Sequence, residues 1–339
     1  MSDNSSLYLV ILAAGKGTRM KSNKAKVLHE VFYKPMLHHV LQATTPLHAT
    51  QSIVIVGHQR EIVEKSLSEF SAIETVVQEE QLGTGHAVLC AEPAIQQMDG
   101  CVMILCGDTP LIRHESLKEM IEQHHSQGST LTVMTTILDT PTHYGRIISD
   151  KNEGVLSIVE EKDADSQQKE IKEINAGIYC IDTKFLFAHL KNIGTNNSQG
   201  EVYLTDIVTQ AVSEQLPVHK FINPASQDVL GVNSRLELSL AHQELQMRRN
   251  RTLMAEGISM ISPETIQISP DSTLGKDVTL HPGVEIAEYS TISDGCTIQA
   301  GSILQNVKLG DLCTIGPYSC LSNTTIPADS TLPPHSQTG

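Results

Sequence analysis

Hydrophobic and polar positions follow two regimes along the chain. From residue 7 to about 230, short apolar runs of strand length alternate with stretches of helical spacing. Strands are predicted over 7–12, 52–56, 73–77, 101–106 and 131–137, and helices over 61–70, 86–94 and 114–127. Between 144 and 182 the pattern shifts to three strands, 145–149, 155–160 and 174–181, with the polar residues 162–172 as a loop or short helix. This reads as an insertion lying over a pocket. A helix over 201–214 and an edge strand over 218–222 follow. Such alternation predicts an α/β fold with a mostly parallel sheet covered on both faces. Ligands of such sheets bind at the carboxyl ends of the strands, where the strand order reverses.

The second regime begins with the longest helical stretch, 234–256, whose apolar positions Leu236, Leu240, Leu245, Met247 and Leu253 only partly keep helix spacing. Gly257 is a C-terminal cap candidate. After about residue 262 an aliphatic residue returns every six positions: Ile268, Leu274, Leu280, Ile286, Ile292 and Ile298. The step shortens by one at Ile303 and resumes at Leu309, Ile315 and Leu321. A sustained period of six is the hexapeptide signature of a parallel β-helix, with aliphatic residues stacked in the lumen and small residues at the corners. The expected organisation is a catalytic-type domain over 1–232, a linker helix over 233–257, a short β-helix over 262–333, and a tail over 334–339.

Composition narrows the function classes. The chain has 339 residues, enough for two cored domains. No apolar run approaches the roughly 20 residues of a membrane helix, and the first apolar run leads directly into Gly15-Lys16-Gly17 rather than to a cleavage site. With seven cysteines and no Cys-x-x-Cys pair, the expectation is a cytoplasmic protein with buried thiols, Cys101, Cys106 and Cys180 among them. A formal charge of −15 argues against nucleic acid and against a polybasic membrane anchor. A polyanionic substrate must then be held by local cations and a metal, against the overall field. His38-His39, His58 and His124-His125 have no acid or cysteine at metal-ligand spacing, so no zinc site is expected there.

Three stretches carry candidate chemistry. Leu12-Ala13-Ala14-Gly15-Lys16-Gly17-Thr18-Arg19 follows the first strand. Glycines two residues apart can free main-chain N–H groups for phosphate oxygens, and Arg19 and Lys26 bring positive charge. It is neither a Walker A loop nor a dinucleotide fingerprint, and a lone Gly-x-Gly is also what an ordinary turn looks like. Asp108, separated by Gly107 from the strand over 101–106, is placed to hold Mg²⁺, although Asp-x-Pro also starts turns. Gln78 and Gln81-Leu82-Gly83-Thr84-Gly85-His86 follow another strand; a glutamine amide matches the edge of a uracil, and a polar helix-capping loop is the alternative.

Taken together, Leu12 to Met20, Lys26-Val27-Leu28-His29, Gln81 to Ala87, Gly107-Asp108-Thr109-Pro110-Leu111, Tyr144-Gly145-Arg146-Ile147, Glu160-Glu161-Lys162-Asp163, Glu173-Ile174-Asn175-Ala176-Gly177 and Gly231-Val232-Asn233 occur in this order. The set resembles the uridylyltransferase half of the bacterial bifunctional GlmU family, and the hexapeptide repeats after a long helix are similar too. The resemblance implies a Rossmann-like nucleotidyltransferase domain followed by a left-handed parallel β-helix. It implies that Leu12, Ala13, Ala14 and Gly15 line the nucleotide site, with Gln78, Gly83 and Thr84 around the uracil. Arg19 and Lys26 would contact phosphates, Asp108 and Asn233 would hold Mg²⁺, and Gly145, Glu160 and Asn175 would hold N-acetylglucosamine. The implied substrates are UTP and N-acetylglucosamine 1-phosphate, and the implied assembly is a homotrimer through the β-helix. Where the family reads Leu-Arg-Pro-Gly, this chain has Leu321-Ser322-Asn323-Thr324, and it ends at Gly339; acetyl transfer is therefore not expected. The alternatives are a thymidylyl- or adenylyltransferase with a hexapeptide tail, and a non-catalytic protein that binds a nucleotide sugar.

Overall fold

A computed structural model describes residues 6–70 and 72–338. The chain forms two compact units. One runs to His29 and resumes over Pro35–Arg235; the other takes Glu30–Lys34 and the residues from Leu236 onward.

The first unit is built on a nine-stranded sheet: β1 (Leu7–Leu12), β2 (Gln51–Val56), β3 (Ile73–Val77), β4 (Cys101–Cys106), β5 (Leu131–Ile137), β6 (Arg146–Ser149), β7 (Val155–Val159), β8 (Glu173–Asp182) and β9 (Val218–Ile222). The strand order is β9-β5-β8-β4-β1-β2-β3, with the β6–β7 hairpin attached to β8. β1, an interior strand, is apolar throughout and nearly all buried, as a parallel strand covered on both faces must be. The chain steps from β1 through β2 to β3 on one side, then crosses to β4 on the other. The order therefore reverses between β1 and β4, whose last residues, Leu12 and Cys106, are register partners. That crevice is where the physics of open α/β sheets puts a ligand.

The sheet is less parallel than the sequence pattern predicts. β8 runs antiparallel to both β4 and β5, and β6 and β7 are antiparallel to each other. The physical reason is the hairpin: it turns the chain around beside β8, so β8 enters without the helical crossover a parallel strand needs. Alternate side chains of the central strands feed two cores. Tyr8, Val10, Ile53, Ile55, Val102 and Ile104 face one side, under helices α3 (Thr84–Leu89), α6 (Thr183–Leu190) and α7 (Asp206–Ser213). Leu9, Ile11, Val54, Val56, Met103 and Leu105 face the other, with α1 (Met36–Thr44), α2 (Arg60–Ser66) and α4 (His114–Ser126).

Several boundaries differ from the pattern. The predicted helix over 201–214 begins only at Asp206, because the backbone before it is engaged elsewhere: Val202 N–H donates to Leu82 O, and Leu204 N–H to the Thr84 hydroxyl. The 61–70 helix tightens to a 3₁₀ turn after Ser66, and the 86–94 helix runs instead from Thr84 to Leu89. The polar 162–172 stretch holds one short helix, α5 (Ser166–Lys169), started by an Asp165/Gln168 capping box. α1 and α6 have no counterpart in the predicted elements.

The second unit contains α8 (Arg235–Ala255) and short parallel strands in three sheets, the arrangement of a left-handed β-helix. The weak amphipathicity of α8 has a cause. Leu236 and Leu240 are exposed, while two buried amides dock the helix. Gln246 donates to the carbonyls of Glu264 and Ile266, and Asn250 to those of Pro263 and Ile266. In the lumen Ile268, Leu280, Ile286, Ile292, Ile298, Leu309, Ile315 and Leu321 are buried as expected. The shortened step, however, is misplaced in the pattern: Ile303 faces out, Leu304 points in, and the five-residue step lies between Leu304 and Leu309. A second short step separates Leu321 from the buried Ile326. Both omit a residue at the same corner, where Asn306 and Asn323 take left-handed backbone angles (φ 51° and 48°) and the Asn306 amide donates to Asn323 Oδ1 at 2.9 Å. The predicted tail is also not one: Gln337–Thr338 pairs with Cys320–Leu321 and continues the coil.

The lumen assignment is testable in the full chain. Leu304→Ala should cost about 2–5 kcal/mol, as buried leucine truncations do, whereas Ile303→Ala should stay within about 0.5 kcal/mol. Urea denaturation followed by circular dichroism distinguishes the two.

Candidate active site

The crevice between β1 and β4 opens into a cavity of about 380 Å³. Leu12, Ala13, Ala14, Gly15, Arg19, Lys26, Gln78, Gly83, Thr84, Asp108 and Asn233 all line it. The two glycines of the first loop serve different purposes. A side chain on Gly15 would meet open space, so its backbone faces the cavity freely. Gly17 is left-handed (φ 58°), and a Cβ there would lie 2.5 Å from Lys26 Cβ. Its bareness lets the Lys26 stem pack against the loop.

Charge converges at one rim. The Lys26 ammonium contacts the Asp108 carboxylate and donates to Asn233 Oδ1 at 2.6 Å. Arg19 donates to the same Asn233 oxygen at 2.8 Å. Asp108 and Asn233, 125 positions apart in sequence, are brought together by main-chain bonding: Val232 N–H donates to Asp108 O, and a Cβ on Gly231 would sit 3.2 Å from Asp108 Oδ1. The Asn233 amide is aimed by its own donation to Gly231 O. The Lys26 and Asp108 side chains are only 12% and 19% exposed, so solvent screens their interaction far less than it would a surface pair. Two hard oxygens, a carboxylate and an amide carbonyl, thus focus on a single cation. That donor chemistry suits Mg²⁺, which takes one or two protein oxygens and completes its shell with phosphates and water.

The opposite wall is organised by glutamines. Gln78 is buried and its amide donates to Gly83 O, with His86 Nδ1 also at 3.1 Å; Gln81 donates to Ala14 O at 2.7 Å. These bonds tie the Gly83 loop to the Ala13–Gly15 loop. Gly83 adopts φ 112°, and a Cβ would fall 2.5 Å from Val202 O, so this backbone passes too close for any other residue. Glu201 also lines the cavity. The sequence does not reveal it, because its spacing predicts one helix over 201–214 and no local pattern marks Glu201 otherwise.

Gly145, Glu160 and Asn175 do not line this cavity and form a second cluster. A Cβ on Gly145 would lie 3.6 Å from both Asn175 Cβ and Glu160 Oε2, and Asn175 N–H donates to Gly145 O. The buried Arg146 holds the hairpin in place, pairing with Glu161 at 2.7 Å. Cys106 links the two clusters: it lines the cavity, and its thiol donates to Gly177 O, whose own N–H donates to Asn175 Oδ1. Burial first, and the Asp108 charge second, push the Cys106 thiol up to about 12, so it remains protonated.

Glu160 is held above the ordinary carboxylate range, chiefly by burial; the Thr205 hydroxyl bond opposes this, while Asp163, Asp206 and Glu201 reinforce it. An acid with a raised folded-state pKa favours the fold fully below its unfolded pKa, and that contribution is lost as pH rises through the folded value. Glu160→Gln should therefore raise the melting temperature more at pH 8 than at pH 4. Equal shifts at the two pH values would contradict the burial argument.

Residues 8–244 match the nucleotidyl transferase family. The chain is 52% identical over 333 residues to the bifunctional protein GlmU of Desulfotalea psychrophila, covering 98% of each. It is 41% identical to that of Pelobacter propionicus over 96% of this chain and 71% of the relative. A solved Bacillus anthracis chain, described as a glucose-1-phosphate thymidylyltransferase, superposes with a TM-score of 0.57 at 20% identity, covering 70% of this chain and 94% of that one; at this distance the likeness concerns the fold. With identity of this extent over nearly its whole length, the chain belongs to the GlmU family and is a sugar-1-phosphate nucleotidyltransferase of the UDP-N-acetylglucosamine pyrophosphorylase kind.

Proposed function

We propose that the protein joins UTP and N-acetylglucosamine 1-phosphate, with Mg²⁺, to give UDP-N-acetylglucosamine and pyrophosphate. One observation carries the reading: Arg19, Lys26, Asp108 and Asn233 meet at the rim of a single cavity walled by the Ala13–Gly15 backbone. Two polyanions must be brought together, so the barrier is dominated by repulsion and misalignment, and local cations with fixed geometry lower both. A phosphate oxygen of the sugar phosphate attacks the α-phosphorus of the nucleotide in line. The new O–P bond forms as the bond to the β-phosphate oxygen breaks, and pyrophosphate leaves. The attacking oxygen is already ionised, so no general base is needed.

In this reading the Asp108 carboxylate and the Asn233 amide oxygen hold Mg²⁺, whose chemistry is charge neutralisation on the triphosphate and alignment of its oxygens. Lys26 and Arg19 bind phosphate oxygens, and the Gly15 backbone approaches them closely. Leu12, Ala13 and Ala14 shape the nucleotide site, with Gln78, Gly83 and Thr84 at the base. Gly145, Glu160 and Asn175 bind the acetylated sugar, where the bare Gly145 leaves room beside two hydrogen-bonding side chains. The same reading makes the enzyme cytoplasmic and trimeric through its β-helix. Support for the first is that, among the described residues, no helix is long and apolar enough to cross a membrane. Support for the second is the outward-facing Tyr289, Leu312 and Tyr318 on the coils. The proposal also excludes acetyl transfer by this 339-residue chain, on the ground that Leu321-Ser322-Asn323-Thr324 replaces the expected Leu-Arg-Pro-Gly.

Pyrophosphate release with UTP, CTP, ATP or dTTP against a panel of sugar 1-phosphates, with and without Mg²⁺, tests the assignment; preference for dTTP or ATP would overturn the uridylyl reading. Asp108→Ala should fold as the wild type does and lose turnover by on the order of 10²-fold or more, with no recovery in excess Mg²⁺. Near-normal pyrophosphate release would remove Asp108 from the mechanism. No thiol should appear from acetyl-CoA in the presence of glucosamine 1-phosphate, and its release by this chain would refute the claim about acetyl transfer.

A further inference from the structure

At the opposite end of β4 from Asp108 lies a group of side chains that the nucleotidyl transfer does not use. Cys101 is the first residue of β4. On the antiparallel neighbour β8, Cys180 stands opposite Met103, two positions along, so both thiols project from the same face of the sheet. α4 belongs to the core on that face and supplies His124, buried and bonded to the Thr132 hydroxyl of β5 at 2.9 Å. The donor atoms of Cys101, His124 and Cys180 all lie within 4.8 Å of one another, and all three residues are buried. The next residue, His125, brings Nε2 to 3.8 Å from the Cys101 sulfur.

No spacing in the sequence announces this group. Cys101, His124 and Cys180 are 23 or more positions apart on three different elements, and the sequence alone predicts no metal ligation by His124-His125 and ordinary buried thiols at Cys101 and Cys180. The tertiary fold supplies the proximity instead. Two sulfurs and the His124 imidazole form a soft three-ligand core, and the exposed His125, with Nε2 3.8 Å from the Cys101 sulfur, stands beside it as a fourth ligand; tetrahedral Zn²⁺ takes such ligands at about 2.0–2.3 Å. Ligands around such an ion are about 3.3–3.8 Å apart, so the donor atoms of Cys101, His124 and Cys180, within 4.8 Å of one another, need only small side-chain adjustments, and His125 turns in from beside Cys101 to complete the shell. His125 also lines an open cavity of about 500 Å³ together with Ser6, His48 and Glu122, so one member of the group meets solvent.

We propose that Cys101, Cys180, His124 and His125 bind one Zn²⁺ ion that clamps β4, β8 and α4. Binding forms two S–Zn and two N–Zn bonds and releases the two thiol protons to solvent. All four coordination positions are filled by the chain, so the ion is structural and takes no substrate. It would fix the foot of the strand whose other end carries Asp108.

The experiment uses the full chain, stripped with a chelator under reducing conditions and titrated with Zn²⁺ or Co²⁺ in excess Mg²⁺, so that the hard-oxygen site is already supplied. One equivalent of Zn²⁺ should bind and raise the melting temperature. Co²⁺ should give a sulfur-to-metal charge-transfer band and the visible spectrum of a tetrahedral site. Cys101→Ser and Cys180→Ser should each weaken binding by at least tenfold and diminish the band, while Cys320→Ser, which alters an exposed thiol, should leave both unchanged. Should the variants fail to fold, the wild-type titration decides alone. Absence of stoichiometric Zn²⁺ binding, a Cys101–Cys180 disulfide in the purified protein, or a charge-transfer band that survives in the double cysteine variant would each overturn the proposal.

Discussion

The ammonium of Lys26 between the Asp108 carboxylate and the Asn233 amide is the interaction around which the proposed nucleotide site is organised. The chain carries a net charge of −15, so a polyanionic substrate approaches against the average field. Attraction must come from a small region where cations are concentrated and held in fixed positions. Lys26 and Arg19 are held in such a region by neighbours of opposite or neutral polarity. Asp108 comes from the end of a buried strand, Asn233 from a segment bonded back to Asp108 through Val232. The rigidity of that end of the sheet becomes the rigidity of the charge arrangement, and electrostatic stabilisation without reorganisation is what phosphoryl chemistry most requires.

Topology explains why the same place gathers the remaining parts. β1 and β4 are adjacent and parallel, yet the chain leaves them in opposite directions. The loops that follow these two strands therefore diverge and leave a crevice. The first loop contributes free backbone at Gly15 and the tight packing of Gly17 on Lys26; the second contributes Asp108. The antiparallel β8 then carries Asn175 into the neighbourhood from the other direction, and Cys106 bridges the two clusters through Gly177.

Much of this was legible in the sequence, for reasons that differ by element. Buried parallel strands such as 7–12 and 101–106 are short uninterrupted apolar runs, the second bounded by Gly100 and Gly107, and their limits could be read almost to the residue. The nucleotide-site motifs follow those strands directly. What remained hidden depended on contacts between distant residues. The start of α7 is set by bonds from 202 and 204 to the Gly83 loop; Glu201 reaches the cavity only because of them. The docking face of α8 escaped a hydrophobicity reading because Gln246 and Asn250 do the work that leucines would otherwise do. Cys101, His124 and Cys180 are unremarkable in their own segments and meet only when β4, β8 and α4 pack.

The shortened corner of the β-helix shows a further principle. Ile303 and Leu304 are both aliphatic, so periodicity alone could not decide which one faces the lumen; burial assigns Leu304. Both five-residue steps fall at one corner, and the Asn306–Asn323 amide contact stacks one shortened turn on the next. A residue dropped at that edge leaves the following rungs aligned, since the strand after it still begins above its predecessor. The same loss along a flat side would invert every later side chain between lumen and solvent. Length variation in this solenoid is thus confined to a single edge, which acts as a seam where the coil can be let out or taken in while its interior stays continuous.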